Sequence, residues 1–285
     1  MSKASKNSLY TSNSDEHYTP KKIVETVLKC FGKVDHFSGG VSSYVAAKRV
    51  IDKYGKDDVI MLFCDTLIED EDLYRFNKDT EQSFGLDLTV IADGRDPFQL
   101  FKDERYLGNA QRGICSLRLK RDLADNWVKD RFRDDECIQY FGLDYSEMHR
   151  IERLTDRKLP YQCNYPLIWK PVLTKEQIFE IVKGDGIEIP RLYKWAYHNN
   201  CGGGCVKAGI SHWRDLFLNM PERFKWWEDK KQELRAFPEK PVTITNYMEK
   251  GKKINITLAE LRQQWEKQPS LFDGLFEYGG CGCAV

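Results

Sequence analysis

Six residues, Ser38-Gly39-Gly40-Val41-Ser42-Ser43, constrain this 285-residue chain more than any other feature. They follow Lys33–Phe37 (KVDHF), which reads as a strand, and lead into Ser42–Tyr54, where Val45, Ala46, Val50 and Ile51 form one helical stripe. Two adjacent glycines let the main chain close around an anion with no Cβ in the way. The hydroxyls of Ser38, Ser42 and Ser43 can donate to phosphate oxygens. Amides at the helix start point at the same spot, where the dipole favours negative charge. The segment lacks the Gly-Lys-Ser/Thr ending of a Walker A loop and is not G-x-G-x-x-G, which argues against kinase, GTPase and dinucleotide geometries. The competing reading is a glycine-rich turn with an N-capping serine.

The first half of the chain alternates short apolar runs with helical patterns, the signature of a parallel α/β sheet. Val59–Cys64 is nearly continuously apolar, as a strand covered on both faces should be. Leu86–Ala92 and Cys137–Leu143 read as further strands, and Glu69–Phe84, Cys115–Val128 and Thr174–Lys183 as helices. Thr174 with Gln177 three residues on makes a capping box. After Asp185 the texture changes. A glycine–cysteine loop, Asn199–Gly209, interrupts a region rich in tryptophan and charge, Val242–Ile256 reads as a hairpin turned near Gly251, and Thr257–Lys267 as an amphipathic helix. The expected fold is α/β, a doubly wound and mostly parallel sheet with a small irregular C-terminal subdomain. Its expected parts are an N-terminal arm (1–32), a nucleotide-binding domain (33–185) and a Cys/Trp-rich subdomain with a flexible tail (186–285).

Lysine plus arginine (44) equals aspartate plus glutamate (44), so the charge balance gives no support to a nucleic-acid coat protein, while a local basic groove stays open. No run approaches the roughly 18 apolar residues of a membrane span, and the polar N-terminus lacks a secretory signal. The expectation is a cytoplasmic protein with no membrane partner.

The loop resembles the PP-loop of the ATP pyrophosphatases and adenine nucleotide α-hydrolases, usually Ser-Gly-Gly-x-Asp-Ser. Ser42 stands where aspartate is usual, so that position offers no carboxylate to a metal. Three further segments resemble the phosphoadenosine phosphosulfate (PAPS) reductase-like group of that superfamily: Cys64-Asp65-Thr66, Arg112–Lys120 around Cys115, and Gly142–Arg150 with Glu147. The resemblance spans roughly residues 33–210. It implies a Rossmann-like fold, phosphates on Ser38, Gly39, Gly40, Ser42 and Ser43, adenosine at Asp65 and Thr66, and a nucleotide site completed by Glu147 and Arg150. Physically, Arg118, Lys120 and Arg150 would bring cations to a polyanion; for Arg118 and Lys120 the alternative is a solvated helix face.

Nine cysteines in a chain with no export signal point to metal, cluster or redox chemistry rather than a disulfide framework. Cys201-Gly-Gly-Gly-Cys205 has chelating separation, and His198 offers a nitrogen ligand. The iron–sulfur members of the reductase group pair an upstream Cys-Cys with a later Cys-x-x-Cys. By that likeness Cys115, Cys201, Cys205 and a tail cysteine, Cys281, would hold a [4Fe–4S] cluster, with zinc as the alternative and Cys163 as a substitute ligand. The competing reading makes Cys201 and Cys205 ordinary thiols on a loop whose glycines serve packing. Cys30, Cys64 and Cys137 read as core residues. Trp195, Trp213, Trp226 and Trp227 could stack bases but more often fill a core or lid, and Glu222–Arg235 reads as an exposed helix.

The resulting expectation is an enzyme that binds ATP with Mg²⁺ and acts at the α-phosphorus. Lys120 would stabilise the leaving pyrophosphate, and Cys115 or the tail thiol Cys283 would carry sulfur to a nucleic-acid or small-molecule acceptor. A cysteine desulfurase or thioredoxin-like protein would be the sulfur-supplying partner. The rivals are reduction of a sulfonucleotide such as PAPS, and a nucleotide-binding module that turns nothing over.

Overall fold

A computed structural model of the chain describes residues 32–106, 113–196, 198–235, 245–249 and 252–270. Residues 1–31 of the expected arm, Cys30 among them, and Arg112, Cys281 and Cys283 lie outside the described residues, while Gly32 begins the first strand.

Five strands form one parallel sheet: β1 (Gly32–His36), β2 (Val59–Asp65), β3 (Leu88–Ala92), β4 (Cys137–Tyr140) and β5 (Gln162–Asn164), in the spatial order β3-β2-β1-β4-β5. Register is fixed by pairs such as Val34 with Ile60 and Asp35 with Tyr140. The chain runs outward from β1 through β2 to β3, then crosses to β4 and β5 on the other side of β1. The order therefore reverses between β1 and β4, the place where open α/β sheets bind ligands outside their carboxyl ends.

Both faces are covered, which explains the unbroken apolar run of β2. On one side Phe37, Met61 and Phe63 pack against α1 (Val41–Tyr54), α2 (Glu71–Phe84) and α6 (Lys175–Gly184). On the other, Val34, Leu62 and Cys64 meet Ala124 and Val128 of α4 (Leu123–Lys129), with Cys137 in the same cluster. The doubly wound expectation holds, and Cys64 and Cys137 are core thiols.

Local chemistry sets the helix ends. Asp70 caps α2 by accepting from the Asp72 amide (2.9 Å). Asp96 caps α3 (Pro97–Asp103), where Pro97 takes the first position, which has no need of an N–H. Thr174 and Gln177 make the reciprocal box expected for α6. One departure concerns the Cys115–Val128 helix: Ser116–Asp122 is a π-turn, with one residue more per turn than an α-helix, before α4 begins. Sequence periodicity cannot show such a turn. It leaves Ser116, Leu119 and Lys120 buried.

Helix α5 (Met148–Lys158) follows β4, and α7 (Ile210–Asn219), α8 (Pro221–Arg235), the antiparallel pair β6 (Thr245–Glu249) and β7 (Lys252–Ile256), and α9 (Leu258–Lys267) complete the described chain. Here the expected exposed helix is corrected: α8 buries Phe224, Trp227, Lys231 and Leu234 in an aromatic core. Trp227 packs on Phe98 (4.9 Å between centroids) and Trp213 (5.4 Å), and Trp213 is fully buried. These two tryptophans are core residues rather than base platforms.

Candidate functional site

The loop between β1 and α1 is held from within by Ser43. Its buried hydroxyl donates to the Gly40 carbonyl (2.8 Å), and it accepts from the Gly40 amide (3.2 Å) and the Ser38 hydroxyl (3.3 Å). Gly39 adopts φ +75°, a conformation open to glycine at little cost. Gly142, just past β4, packs so closely on the loop that a Cβ there would lie 2.9 Å from the Ser42 carbonyl oxygen. From across the fold, Asn199 donates its side-chain amide to the Gly39 carbonyl (2.8 Å).

This loop opens on a cavity of about 560 Å³ at the reversal point between β1 and β4. Ser38, Gly40, Ser42 and Ser43 border it, and so do Glu147 and Arg150. Arg150 donates to Glu147, and Asp144 caps the turn over Tyr145–Glu147, so the motif after β4 forms one wall. Lys175 at the start of α6, Lys194, Tyr193, Trp195, His198, Asn199 and Asn200 form the opposite wall. Sequence reasoning passed over most of these. Asn199 and Asn200 adjoin Cys201, and His36 adjoins the loop, but no spacing marks Tyr193 or Lys175.

Three residues that border the cavity each have a polar atom shut off from it and without a hydrogen-bond partner among the described residues: His36 Nδ1, Asn199 Oδ1 and Asn200 Oδ1. Tyr193 is partly buried, and burial, opposed by the neighbouring Val41 amide, pushes its phenol up to about 12. That oxygen lies 2.7 Å from where a Cβ on Gly40 would stand. The space beside Gly40, expected to belong to phosphate, thus holds a tyrosine hydroxyl.

Other expected site residues lie elsewhere. Asp65 accepts from the Leu67 amide (2.8 Å) and the Tyr74 hydroxyl (2.8 Å) and does not border the large cavity. Arg118 is exposed and pairs with Asp122 (2.8 Å). Lys120 is buried against Glu69 (3.4 Å). Glu69 also accepts from the Thr66 hydroxyl (2.8 Å) and the Cys201 amide, which ties the end of β2, the π-turn and the cysteine loop to one carboxylate.

Cys115, Cys201 and Cys205 border a second cavity with Thr66, Lys120 and Trp227. It measures about 10 Å³, room for about one water. His198 borders the large cavity, where its Nδ1 accepts from the Asn200 amide (3.4 Å), and its ring stacks on His212. Burial, and after it the neighbouring His198, pushes His212 down to about 4. Cys163 sits on β5 beside the Phe141–Leu154 cluster, which contains none of Cys115, Cys201 and Cys205. Among the described residues no group of three His, Cys, Asp or Glu side chains is disposed to hold a metal ion. The fourth expected ligand, Cys281, lies outside the described residues. The intervening glycines answer to packing: a Cβ on Gly202 would meet the Arg223 guanidinium at 1.9 Å, and one on Gly204 the Trp227 indole at 2.1 Å.

No protein-family model matches this sequence, and comparison with curated proteins gives no match. Among solved structures, the chain is similar to one titled "Structure of NMN synthetase from Francisella tularensis" at 17% identity and a TM-score of 0.46, covering 78% of this chain and 98% of that one. The functional reading therefore rests on the site itself. Among the described residues no helix is long and apolar enough to cross a membrane.

Proposed function

We propose that the chain is an enzyme that binds ATP with its outer phosphates on the Ser38–Ser43 loop and acts at the α-phosphorus, releasing pyrophosphate and leaving an adenylated acceptor. One observation carries the reading: the loop, the start of α1 and the β1/β4 reversal all open on the same cavity of about 560 Å³. Arg150, Lys175 and Lys194 border that cavity and supply positive charge for a polyphosphate. Loop amides and these cations would stabilise charge growing on the departing pyrophosphate.

The cavity also suits the magnesium that accompanies ATP. Asn199 Oδ1 is a buried oxygen with no hydrogen-bond partner among the described residues, on a side chain already tied to the loop, and Asp144 borders the same space. These two would hold the ion in place of the carboxylate missing at Ser42. Bound Mg²⁺ would neutralise phosphate charge and orient the leaving group.

Sulfur transfer is the extension of this reading. Asn199 and Asn200 in the cavity wall run directly into Cys201, which borders the thiol cavity with Cys115 and Cys205. A thiol there, loaded as a persulfide by the sulfur donor, would attack the adenylated carbon of the acceptor through its outer sulfur, forming the C–S bond as the C–O bond to AMP breaks. A second thiol of the same cavity would then free the acceptor's sulfur by disulfide exchange, leaving a protein disulfide for a thioredoxin-like partner to reduce. The acceptor is left as a class, a nucleic acid or small molecule, with a cysteine desulfurase or thioredoxin-like protein supplying sulfur. The same proximity favours a second reading, reduction of a sulfonucleotide such as PAPS.

Product analysis separates these. Incubation with ATP and Mg²⁺ is expected to yield AMP and pyrophosphate once an acceptor is present. Sulfite released from PAPS with thioredoxin would establish the second reading instead. Nucleotide binding with neither product would reduce the chain to a binding module.

A further inference from the structure

Helix α5 leaves the wall of the large cavity with its charges sorted by sign. Arg150, which borders the cavity, is followed at i+3 and i+7 by Arg153 and Arg157, a spacing that keeps all three within about 60° of one another around the helix axis. Ile151, Leu154 and Lys158 make the buried face beside them, and the exposed acids Glu152 and Asp156 lie on the far flank. Arg153 with Arg157, and Glu152 with Asp156, are like charges at i,i+4, an arrangement that weakens a helix. The helix dipole accounts for Arg157 in the last turn but not for Arg153. Both arginines are exposed, and neither makes a hydrogen bond or an ion pair among the described residues. Arg75, Arg95, Arg118, Arg133 and Arg262 each have a carboxylate partner. The π-turn adds a guanidinium from a different element, Arg121, whose Nε is buried without a hydrogen-bond partner among the described residues. Burial, and after it the charge of Arg121, holds Arg157 below the usual arginine range, which places the two cations side by side. The acids nearest this flank are already engaged, Asp125 by Lys158 and Glu147 by Arg150. At the head of the row Tyr145 is 68% exposed, between Asp144 and Glu147 of the cavity wall in sequence.

A row of guanidiniums that the chain's own acids leave unneutralised is complementary to a ligand with regularly spaced negative charges. From Arg150 to Arg157 the helix rises about 10 Å, the length of about three nucleotides at ~3.4 Å per phosphate of one strand. An exposed aromatic ring at the head of the row offers its face to an unpaired base, which a base stacked inside a duplex cannot use. An acidic peptide would meet the same charges but has no base for Tyr145. We propose that Arg153, Arg157 and Arg121 form a track for the backbone of a single-stranded nucleic acid, whose path runs past Tyr145 and Arg150 to the large cavity. The track stands on its own geometry; that the strand is the acceptor of the reaction rests on the proposed reading of the cavity.

The test is fluorescence anisotropy of the full chain with three labelled probes, a short single strand of mixed sequence, its duplex and a polyglutamate peptide, each over a salt series. The single strand is expected to bind best, with an affinity that falls linearly with salt on logarithmic axes. Arg153→Gln with Arg157→Gln should weaken strand binding about tenfold and flatten the salt slope by about 1.4, at ~0.7 per phosphate contact. Arg153→Lys with Arg157→Lys should keep the slope. Tyr145→Ala should weaken binding about fivefold or more and leave the slope unchanged. Affinity for ATP and the thermal unfolding midpoint should match the wild type in all three variants, a result that separates the track from the cavity and from the fold. Should the Gln double variant not fold, Arg153→Gln alone should show about half the change in slope. An unchanged slope in the Gln variants, a duplex bound as tightly as the strand, or polyglutamate bound equally well through the same arginines overturns the proposal. ATP binding without strand binding sinks this inference and leaves the nucleotide reading standing. Strand binding on the track without ATP binding does the reverse.

Discussion

The phenol oxygen of Tyr193 sits at the first turn of α1, beside the Val41 amide and 2.7 Å from the position a Cβ on Gly40 would take. An anion on this loop would want the same amide, so tyrosine and phosphate compete for it. Tyr193→Phe should free the donor. One net hydrogen bond of about 1 kcal/mol corresponds to roughly fivefold tighter nucleotide binding. Calorimetric titration with ATP checks this; weaker binding by the variant would mean that the hydroxyl contacts the ligand instead.

Asp35 on the central strand is buried with neither carboxylate oxygen hydrogen-bonded among the described residues, and burial raises its pKa well above the usual carboxylate range. The sign follows. The folded state holds this proton at pH values where the unfolded chain, titrating near ~4, has released it. The neutral carboxyl's contribution is complete below that value and is lost as pH rises toward the folded value. Asp35→Asn should remove a slope of at most about 1.4 kcal/mol per pH unit. Urea unfolding of both proteins from acid to mildly alkaline pH would show it, and parallel curves would refute it.

Lys231 lies buried with its amine 3.7 Å from the Trp213 ring centroid and no hydrogen-bond partner among the described residues. Burial pushes its pKa well below the usual lysine range, opposed by nearby Cys205. A base depressed by folding makes the protein more stable as pH rises from the folded value toward the unfolded one, near ~10.4. Lys231→Met, of similar length, should raise stability at neutral pH by about 1–2 kcal/mol and flatten that rise. Thermal unfolding in a pH series measures both.

Much of the sheet was legible because its signals are local. An apolar run such as Val59–Asp65 needs no distant residue to become a buried strand, and Thr174 with Gln177 caps its own helix. The loop was legible for the same reason, and it does open on the large cavity. The rest of the site was not legible. Asn199 meets Gly39 across 160 positions, and Tyr193 reaches Val41 across the fold, contacts that no periodicity encodes. Nor could the sequence show what the glycines between Cys201 and Cys205 are packed against: Arg223 and Trp227 lie where side chains at Gly202 and Gly204 would be. For Lys120, read as a cation for the nucleotide, a sequence likewise cannot reveal that the π-turn buries it against Glu69, 51 positions away.

That ion pair gives the last test. Lys120 and Glu69 are both buried, 3.4 Å apart, and Glu69 also accepts from Thr66 and Cys201. Removing either partner leaves the other charge in a low-dielectric site, at a cost of about 3 kcal/mol or more. Lys120→Met and Glu69→Leu should each destabilise by about that amount. The double variant should lose much less than the sum, because neither change then strands a charge. Denaturant unfolding of the two single variants and the double supplies the coupling energy. A purely catalytic Lys120 predicts a different pattern: turnover lost in Lys120→Met with the unfolding midpoint unmoved, and no coupling to Glu69. The two roles therefore separate in stability measurements alone, before any substrate is known.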